Sequence, residues 1–371
     1  MFTRTGSDAA AIHGSKTMKD NNRIYRREDL LRLAGELLAA AGMDRQMAAV
    51  VADVLVEGDL LGHTTHGLAL LPVYLKGLEQ GTLRPEGEEE IIEDRDSAIT
   101  IDGHYLPGPW LVHRAMDLAF ERIDRHPLVT VVIRRSHHTA ALAAYPRRAT
   151  ERGYMFLMTC SDPSVRSIAP FGGLDPLYTP NPIAAGFPTA GDPVIVDIST
   201  SCTANGVTGR LQAEGGRLPH PWLLDNRGML SDDPAVLFAD PPGSILPLGG
   251  MDLGYKGFAL GILVEAMTAA LAGSGRADGI DRWGASVFMQ IIDPQGFSGS
   301  AAFIRETEWL AEACRKNRVR PGDPSVRLPG QRALHLRREQ LAHGLKLYPS
   351  IMPAIEPWAR KFAVVMPSGD D

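Results

Sequence analysis

From Arg26 onwards leucines recur at helical spacing. Leu30, Leu33, Leu37 and Leu38 share one face, and Gly42 stands where a C-terminal cap would fall. A second period begins near Asp44 and places Ala48, Val51, Val54 and Leu55 on one side. Gly62-His63-Thr64-Thr65-His66-Gly67 interrupts it, and Leu71 to Leu78 resumes it, so everything to about Glu90 reads as helix. Near Ile91 the character changes. Ser97 to Ile101 is strand-like and ends on the turn signal Asp102-Gly103. Trp110 to Ile123 is an amphipathic helix, and the β-branched run Leu128 to Ile133 suits a strand covered on both faces. Ala140 to Arg152 reads as helix, and Tyr154 to Cys160 and Pro193 to Ile198 as strands. A long apolar helix follows Leu253, then a strand over Val287 to Ile292 and helices over Ala301 to Lys316 and Arg337 to Gly344. Alternation of this kind predicts an α/β layered core.

Composition narrows the class. A chain of 371 residues fits two domains, and 44% hydrophobic with 22% charged residues is ordinary for a globular protein. The net charge of -6 argues against a nucleic-acid or membrane surface, which needs concentrated basic charge. Gly257 to Ala272 is apolar, but Glu265 interrupts it and it is short for a membrane span. Cys160, Cys202 and Cys314 form neither a disulfide framework nor a zinc pattern, which points to a reducing, cytoplasmic compartment. Residues 1–22 are polar and mixed, the composition of a disordered leader.

The chemistry sits outside the standard motifs. No Gly-x-Gly-x-x-Gly follows a strand, and no phosphate loop occurs. What stands out is His63 and His66 at a helix–loop junction, and His137 and His138 beyond the strand ending near Ile133. Strand ends are where α/β proteins bind ligands, and imidazole titrates close enough to neutrality to move a proton. Two further readings stay open: histidines that only make structural hydrogen bonds, or a His-x-x-His metal site lacking its remaining ligands. Leu246-Pro247-Leu248-Gly249-Gly250 leads through Gly254-Tyr255-Lys256-Gly257 into a helix, a setting that suits an anion or merely a capped loop.

Taken in order, these segments resemble the type-2 malate/L-lactate dehydrogenase family, which includes ureidoglycolate dehydrogenase, diketogulonate reductase, sulfolactate dehydrogenase and cyclic-imine carboxylate reductases. Thr65-His66-Gly67, with Pro72 and Tyr74, is similar to the family's Ser-His-Gly segment, and Ser136-His137-His138 to its Ser-Asn-His. Pro170-Phe171-Gly172-Gly173, Asn181-Pro182, Asp197-Ile198-Ser199-Thr200-Ser201, Tyr255-Lys256-Gly257 and Val326-Arg327-Leu328-Pro329-Gly330 follow in the family's sequence. The resemblance runs from about Ile24 to Ala363.

It implies a non-Rossmann, sulfolactate-dehydrogenase-like fold. A central mixed-sheet α/β cofactor domain over 93–300 would be joined by a helical domain from 23–92 and 301–371. It also implies NAD(P)H as cofactor, NAD or NADP left open, and a homodimer acting on a small molecule. The expected cofactor segments are Pro193, Val194, Ile195, Val196, Asp197, Ile198 and Ser199, then Tyr255 and Lys256, then Gly330, Gln331 and Arg332. His66 and His138 are the candidate proton donors, with Asp197 able to orient an imidazole. Thr65, Leu70, Tyr74 and Ser136 are the expected substrate contacts.

Departures from the family bear on the substrate. Leu70 stands where an arginine usually forks onto a 2-oxo acid carboxylate, and Val207 where a lysine is common. Thr139-Ala140 and Thr179-Pro180 also differ. Plain malate or lactate is therefore a doubtful substrate. Two rivals are a non-catalytic dimeric paralogue and a metal hydrolase.

Overall fold

The structure, a computed structural model, describes residues 23–369. The expected leader lies outside them. After a two-residue strand β1 (Ile24–Tyr25) come α1 (Arg27–Ala40), α2 (Arg45–Leu60) and α3 (Leu71–Glu79). Asp44 caps α2, its carboxylate accepting from the Gln46 and Met47 N–H groups. The leucine face of α1 meets Met47, Ala48, Val51 and Leu55 of α2 in the main core.

The sheet follows as β2 (Glu90–Asp94), β3 (Ala98–Asp102), α4 (Gly108–Arg122), β4 (Leu128–Ser136), α5 (Pro146–Thr150), β5 (Met155–Ser161), β6 (Ile183–Phe187) and β7 (Val194–Ile198). Next come α6 (Asn205–Glu214), the short strands β8 (Leu223–Leu224), β9 (Leu230–Ser231) and β10 (Ser244–Ile245), and α7 (Gly250–Glu265). After α7 the chain supplies β11 (Ala285–Ile292) and α8 (Ser300–Arg315). Seven strands pair in the order β2-β3-β4-β11-β5-β6-β7, and only β3 and β4 are parallel. One face of β4, β11 and β5 packs Val129, Val131, Met289 and Phe156 against Leu111, Ala115 and Met116 of α4. The other carries Val132 and Phe288 under Ala272. The apolar run of β4 is thus buried from both sides.

This topology builds one functional edge. The ends of β4, β5 and β7 (Ser136, Ser161, Ile198) and the starts of β6 and β11 (Ile183, Ala285) fall on the same side of the sheet, as their pairings require. The terminal helices join the N-terminal ones: α9 (Gln331–His343) contacts α2, and after β12 (Leu345–Lys346) the last helix, α10 (Ile351–Phe362), contacts α1 and α3. Helix α8 instead leans on the β6–β7 turn, where the Thr307 hydroxyl donates to the Pro188 carbonyl over 2.9 Å.

Several elements differ from the sequence reading. Ala140 to Arg152 is not one helix but a short turn at Leu142–Ala144 followed by α5, because Ala140 has a positive φ of 59° and Pro146 has no N–H to continue a helix. Helix α9 starts at Gln331 rather than Arg337. Helix α10 was hidden by Pro353 and Pro357, although Ile351, Met352, Ile355 and Ala359 form its buried face. Edge strand β2, strand β6, helix α6 and the three-stranded sheet β10-β8-β9 were not expected.

Candidate active site

The site is built on the loop that leaves α2. Asp59, in the last turn, points its Oδ2 at the Leu68 N–H, 2.7 Å away, and so folds the segment 61–68 back over the helix. Gly67 crosses that carboxylate closely. A Cβ there would lie within 2.7 Å of both Asp59 oxygens, so any side chain would force the carboxylate to shift. The fold-back projects His66, whose Nδ1 lies 2.8 Å from the Thr65 hydroxyl. The start of α6 closes over it, for a Cβ on Gly206 would be 3.6 Å from His66 Cε1. One turn along α6, Arg210 donates to the Thr64 hydroxyl and carbonyl at 2.9 and 2.6 Å and lies 3.9 Å over the Tyr348 ring.

The sheet edge supplies the opposite wall. The ring of His138 stacks on His66 at 5.8 Å and on Trp283 at 5.0 Å. Its Nδ1 accepts the Ala140 N–H, so the proton of the neutral ring resides on Nε2. The Tyr74 hydroxyl donates to the His138 carbonyl over 2.7 Å, and His137 packs edge-on against Trp283. Burial, with the neighbouring His63 and Arg210, brings the pKa of His66 down to about 4. His138 is held well below the ordinary histidine range by burial and by His66 and His137, and His137 falls to about 3 by burial and Arg282. All three imidazoles are neutral at pH 7. Asp59 is pushed up to about 7 by burial, against the Leu68 N–H and Arg210.

Two cavities border the loop that carries His66, lined by its neighbours His63, Thr64 and Thr65 and by neither His66 nor His138. The larger, about 770 Å³, is lined by His63, Thr64, Ile195, Asp197, Gly330 and Arg332 among others. Asp197 accepts the Ala143 N–H at 2.9 Å, and burial raises its pKa against the charge of His63 and that bond. The smaller, about 350 Å³, is bordered by Thr65, Ala69, Gly206 and Arg210.

The expected residues fall into two groups. Thr65, His66 and His138 come together, and Ile195, Asp197, Gly330 and Arg332 converge on the larger cavity. Val194, Val196 and Ile198 do not line it, since alternate strand positions face away, and neither do Pro193 and Ser199 beyond the strand ends, where the Ser199 hydroxyl donates to the Ser201 carbonyl. Gln331 braces the loop by accepting the Leu328 N–H.

Other expectations need correction. Asp197 faces His63, with 3.9 Å between Oδ2 and Nδ1, and not His66 or His138. Tyr74 and Ser136 are fully buried, so they position the His137-His138 segment instead of meeting a ligand; the Ser136 hydroxyl donates to the His137 carbonyl. Leu70 packs on the main core and borders neither cavity. Tyr255 is half-exposed on α7 against Phe171, and neither it nor Lys256 reaches the larger cavity. Asp59, Arg210 and Trp283 were missed. For Asp59 a signal existed: an acid inside the apolar run Val54 to Leu61 has to be buried. Among the described residues no cluster of three or more His, Cys, Asp or Glu could hold a metal ion, and His63 and His66 turn to different partners.

Comparison with known proteins supplies the context. The sequence profile of the malate/L-lactate dehydrogenase family matches residues 25–356. The chain is 32% identical to a (2R)-3-sulfolactate dehydrogenase (NADP(+)) of Chromohalobacter salexigens over 88% of its own length and 95% of that protein. It is 29% identical to an L-lactate dehydrogenase of Cupriavidus necator over 91% and 97%. The solved structure of a delta1-piperideine-2-carboxylate reductase from Pseudomonas syringae pvar. tomato superposes with a TM-score of 0.80 at 25% identity, covering 91% of this chain and all of that one (100%).

Proposed function

Since the chain belongs to the malate/L-lactate dehydrogenase family, whose members are oxidoreductases, we propose that it transfers a hydride between NAD(P)H and the carbon of a small 2-oxo or 2-hydroxy acid or a cyclic imine, with His66 handling the proton. The names of the relatives span C=O and C=N substrates that carry a carboxylate, and one is NADP(+)-dependent. When bound, the nicotinamide supplies or accepts the hydride. The larger cavity fits such a cofactor. Helix α9 begins at its wall with no side-chain cap after Gly330, so free N–H groups and the Arg327 and Arg332 guanidiniums suit phosphates.

The observation that carries the reading is His66, neutral, held by Thr65 and stacked on His138, with residues lining both cavities on either side of it in sequence and space. A neutral imidazole accepts the proton of an alcohol or amine as it is oxidised. In the reducing direction the protonated ring donates, and an anionic substrate stabilises that form by offsetting the charge of Arg210. His138, fixed at Nδ1, is the second candidate. Leu70 speaks against plain malate or lactate. Exposed Met251, Leu253, Tyr255 and Leu263 along α7 support a homodimer, and three free cysteines a cytoplasmic setting.

The test is direct. NADH or NADPH fluorescence should change on mixing with the protein, and a panel of oxo acids and cyclic imines should be turned over. His66→Asn should keep cofactor binding and lose at least ~100-fold in turnover. Near-normal turnover would move the role to His138, and no cofactor binding would refute the reading.

A further inference from the structure

We infer that Arg210 is the cation that holds the substrate's carboxylate, in the 350 Å³ cavity beside His66, and that this pocket selects monocarboxylates with an apolar remainder over dicarboxylates. The inference rests on the dehydrogenase reading above and names its substrate class.

The charge pattern is the first argument. Most other half-buried arginines pair with carboxylates: Arg134 and Arg135 with Asp102, Arg147 and Arg337 with Glu57, Arg276 with Glu265. Arg282 instead spends its donors on the Gly81 and Thr82 carbonyls and lines neither cavity. Arg210 has no carboxylate partner among the described residues. Its two bonds go to Thr64, which leaves three of its five N–H donors for a ligand. Tyr348 covers one face of the guanidinium and fixes its plane. A half-buried cation without a counter-ion, on the wall of a cavity, is a site for an anion.

Position is the second. Thr65 shares the cavity wall with Arg210, and Gly206 brings α6 against the His66 ring, so an anion on Arg210 lies next to the proton carrier. Leu70 and Val207 offer no charge, and α6 supplies one a single turn beyond Val207. A carboxylate bound there offsets one of the charges that depress His66, so binding the substrate also raises the basicity of the ring.

The rest of the lining sets selectivity. Ala69, Ala213, Ile351 and Ala354 give an apolar wall. Glu214 borders the same cavity, its carboxylate accepting the Tyr348 hydroxyl, and it repels a second substrate carboxylate.

Oxamate, a 2-oxo acid analogue, tests this by calorimetry on the full chain with NAD(P)H, with neutral oxamide as control. Arg210→Met should weaken oxamate by at least ~30-fold and leave oxamide unchanged, because truncating one partner of such a pair costs that much or more. Arg210→Lys should recover part of the oxamate affinity. Equal losses for the two ligands would show that Arg210 only braces Thr64, and oxamate affinity unchanged by Arg210→Met would overturn the inference outright. In turnover the parent should prefer 2-oxobutyrate to oxaloacetate by at least ~10-fold, and the reverse preference would overturn the selectivity. Failure of the parent to bind NADH or NADPH defeats the dehydrogenase reading by itself, whereas the oxamate–oxamide contrast judges Arg210 either way.

Discussion

Asp59→Asn should make the protein more stable at neutral pH and remove a distinct part of its pH dependence. The Asp59 side chain is almost fully buried, and among the described residues only Oδ2 has a partner, the Leu68 N–H, while Oδ1 is buried with none. Burial moves its pKa from 3.8 to about 7. At pH 8 the group is ionised in both folded and unfolded chains, so the folded state bears the full cost of about 4 kcal/mol. At pH 5 the folded carboxyl is protonated and the cost falls to about 1.5 kcal/mol. Stability from this group is therefore greatest below the unfolded pKa, declines as pH rises from about 4 to 7, and is flat above. Asparagine keeps the shape and the Leu68 bond, and leaves an amide where Oδ1 was already unpaired, a cost of about 1–3 kcal/mol.

The variant should thus gain about 1–3 kcal/mol at pH 8, and the gain should shrink by about 2.5 kcal/mol at pH 5. Urea unfolding followed by circular dichroism at both pH values measures it. A comparison of variant with parent is essential. His66, His113, His137 and His138 have depressed pKa values, so they favour the folded state above the unfolded histidine range and lose that contribution as pH falls. Their sign opposes that of Asp59, and they cancel in the difference. A stability difference identical at pH 5 and pH 8 would refute the reasoning.

Three other outcomes are expected. Gly67→Ala places a methyl group 2.4 Å from Asp59 Oδ2, so urea unfolding should show a loss of about 1–3 kcal/mol from overpacking and strain. Arg332→Met should weaken NADH or NADPH binding, with the loss shrinking as salt rises, while Lys256→Met should leave it unchanged; fluorescence titrations at two ionic strengths check both. Leu70→Arg sets a cation against the main core on which Leu70 packs, away from both cavities, so urea unfolding should show a loss of about 1–3 kcal/mol while the preference between oxaloacetate and 2-oxobutyrate stays unchanged in a ratio of kcat/KM values.

Sequence pattern foretold the parts of the molecule that obey local rules. Helices α1 and α2 follow from leucine and valine spacing, and β4 and β11 from apolar runs buried on both faces. The histidine pair was legible because His66 and His138 sit in recognisable segments, and the stack at 5.8 Å brings them together. What pattern could not convey was partnership across the chain. Asp197 lies far from both His63 and His66 in sequence, and only the packing of β7 against the loop after α2 decides which imidazole it meets. Tyr74 and Ser136 match the family segments as well as Thr65 does, yet burial turns them inward as struts. Helix α10 was obscured because its prolines speak locally against a helix that tertiary burial then enforces.

The places where local expectation fails gather round one loop. A carboxylate buried under Gly67, a left-handed Ala140, and an arginine without a counter-ion among the described residues are each unfavourable or unexplained taken singly. Asp59 and Gly67 shape the fold-back that presents His66, and Ala140 turns its N–H to fix Nδ1 of His138. Arg210 ties Thr64 to α6 from the far side. A fold selected for stability alone would replace Asp59 by an apolar residue of similar volume, since a buried charge with one partner costs more than it returns. Its presence makes sense if the loop has to hold one geometry under the cofactor and substrate, because binding and proton transfer depend on placement far more steeply than stability does. The gain in stability expected for Asp59→Asn should therefore come with reduced turnover, as the loop loses the charge that fixes it.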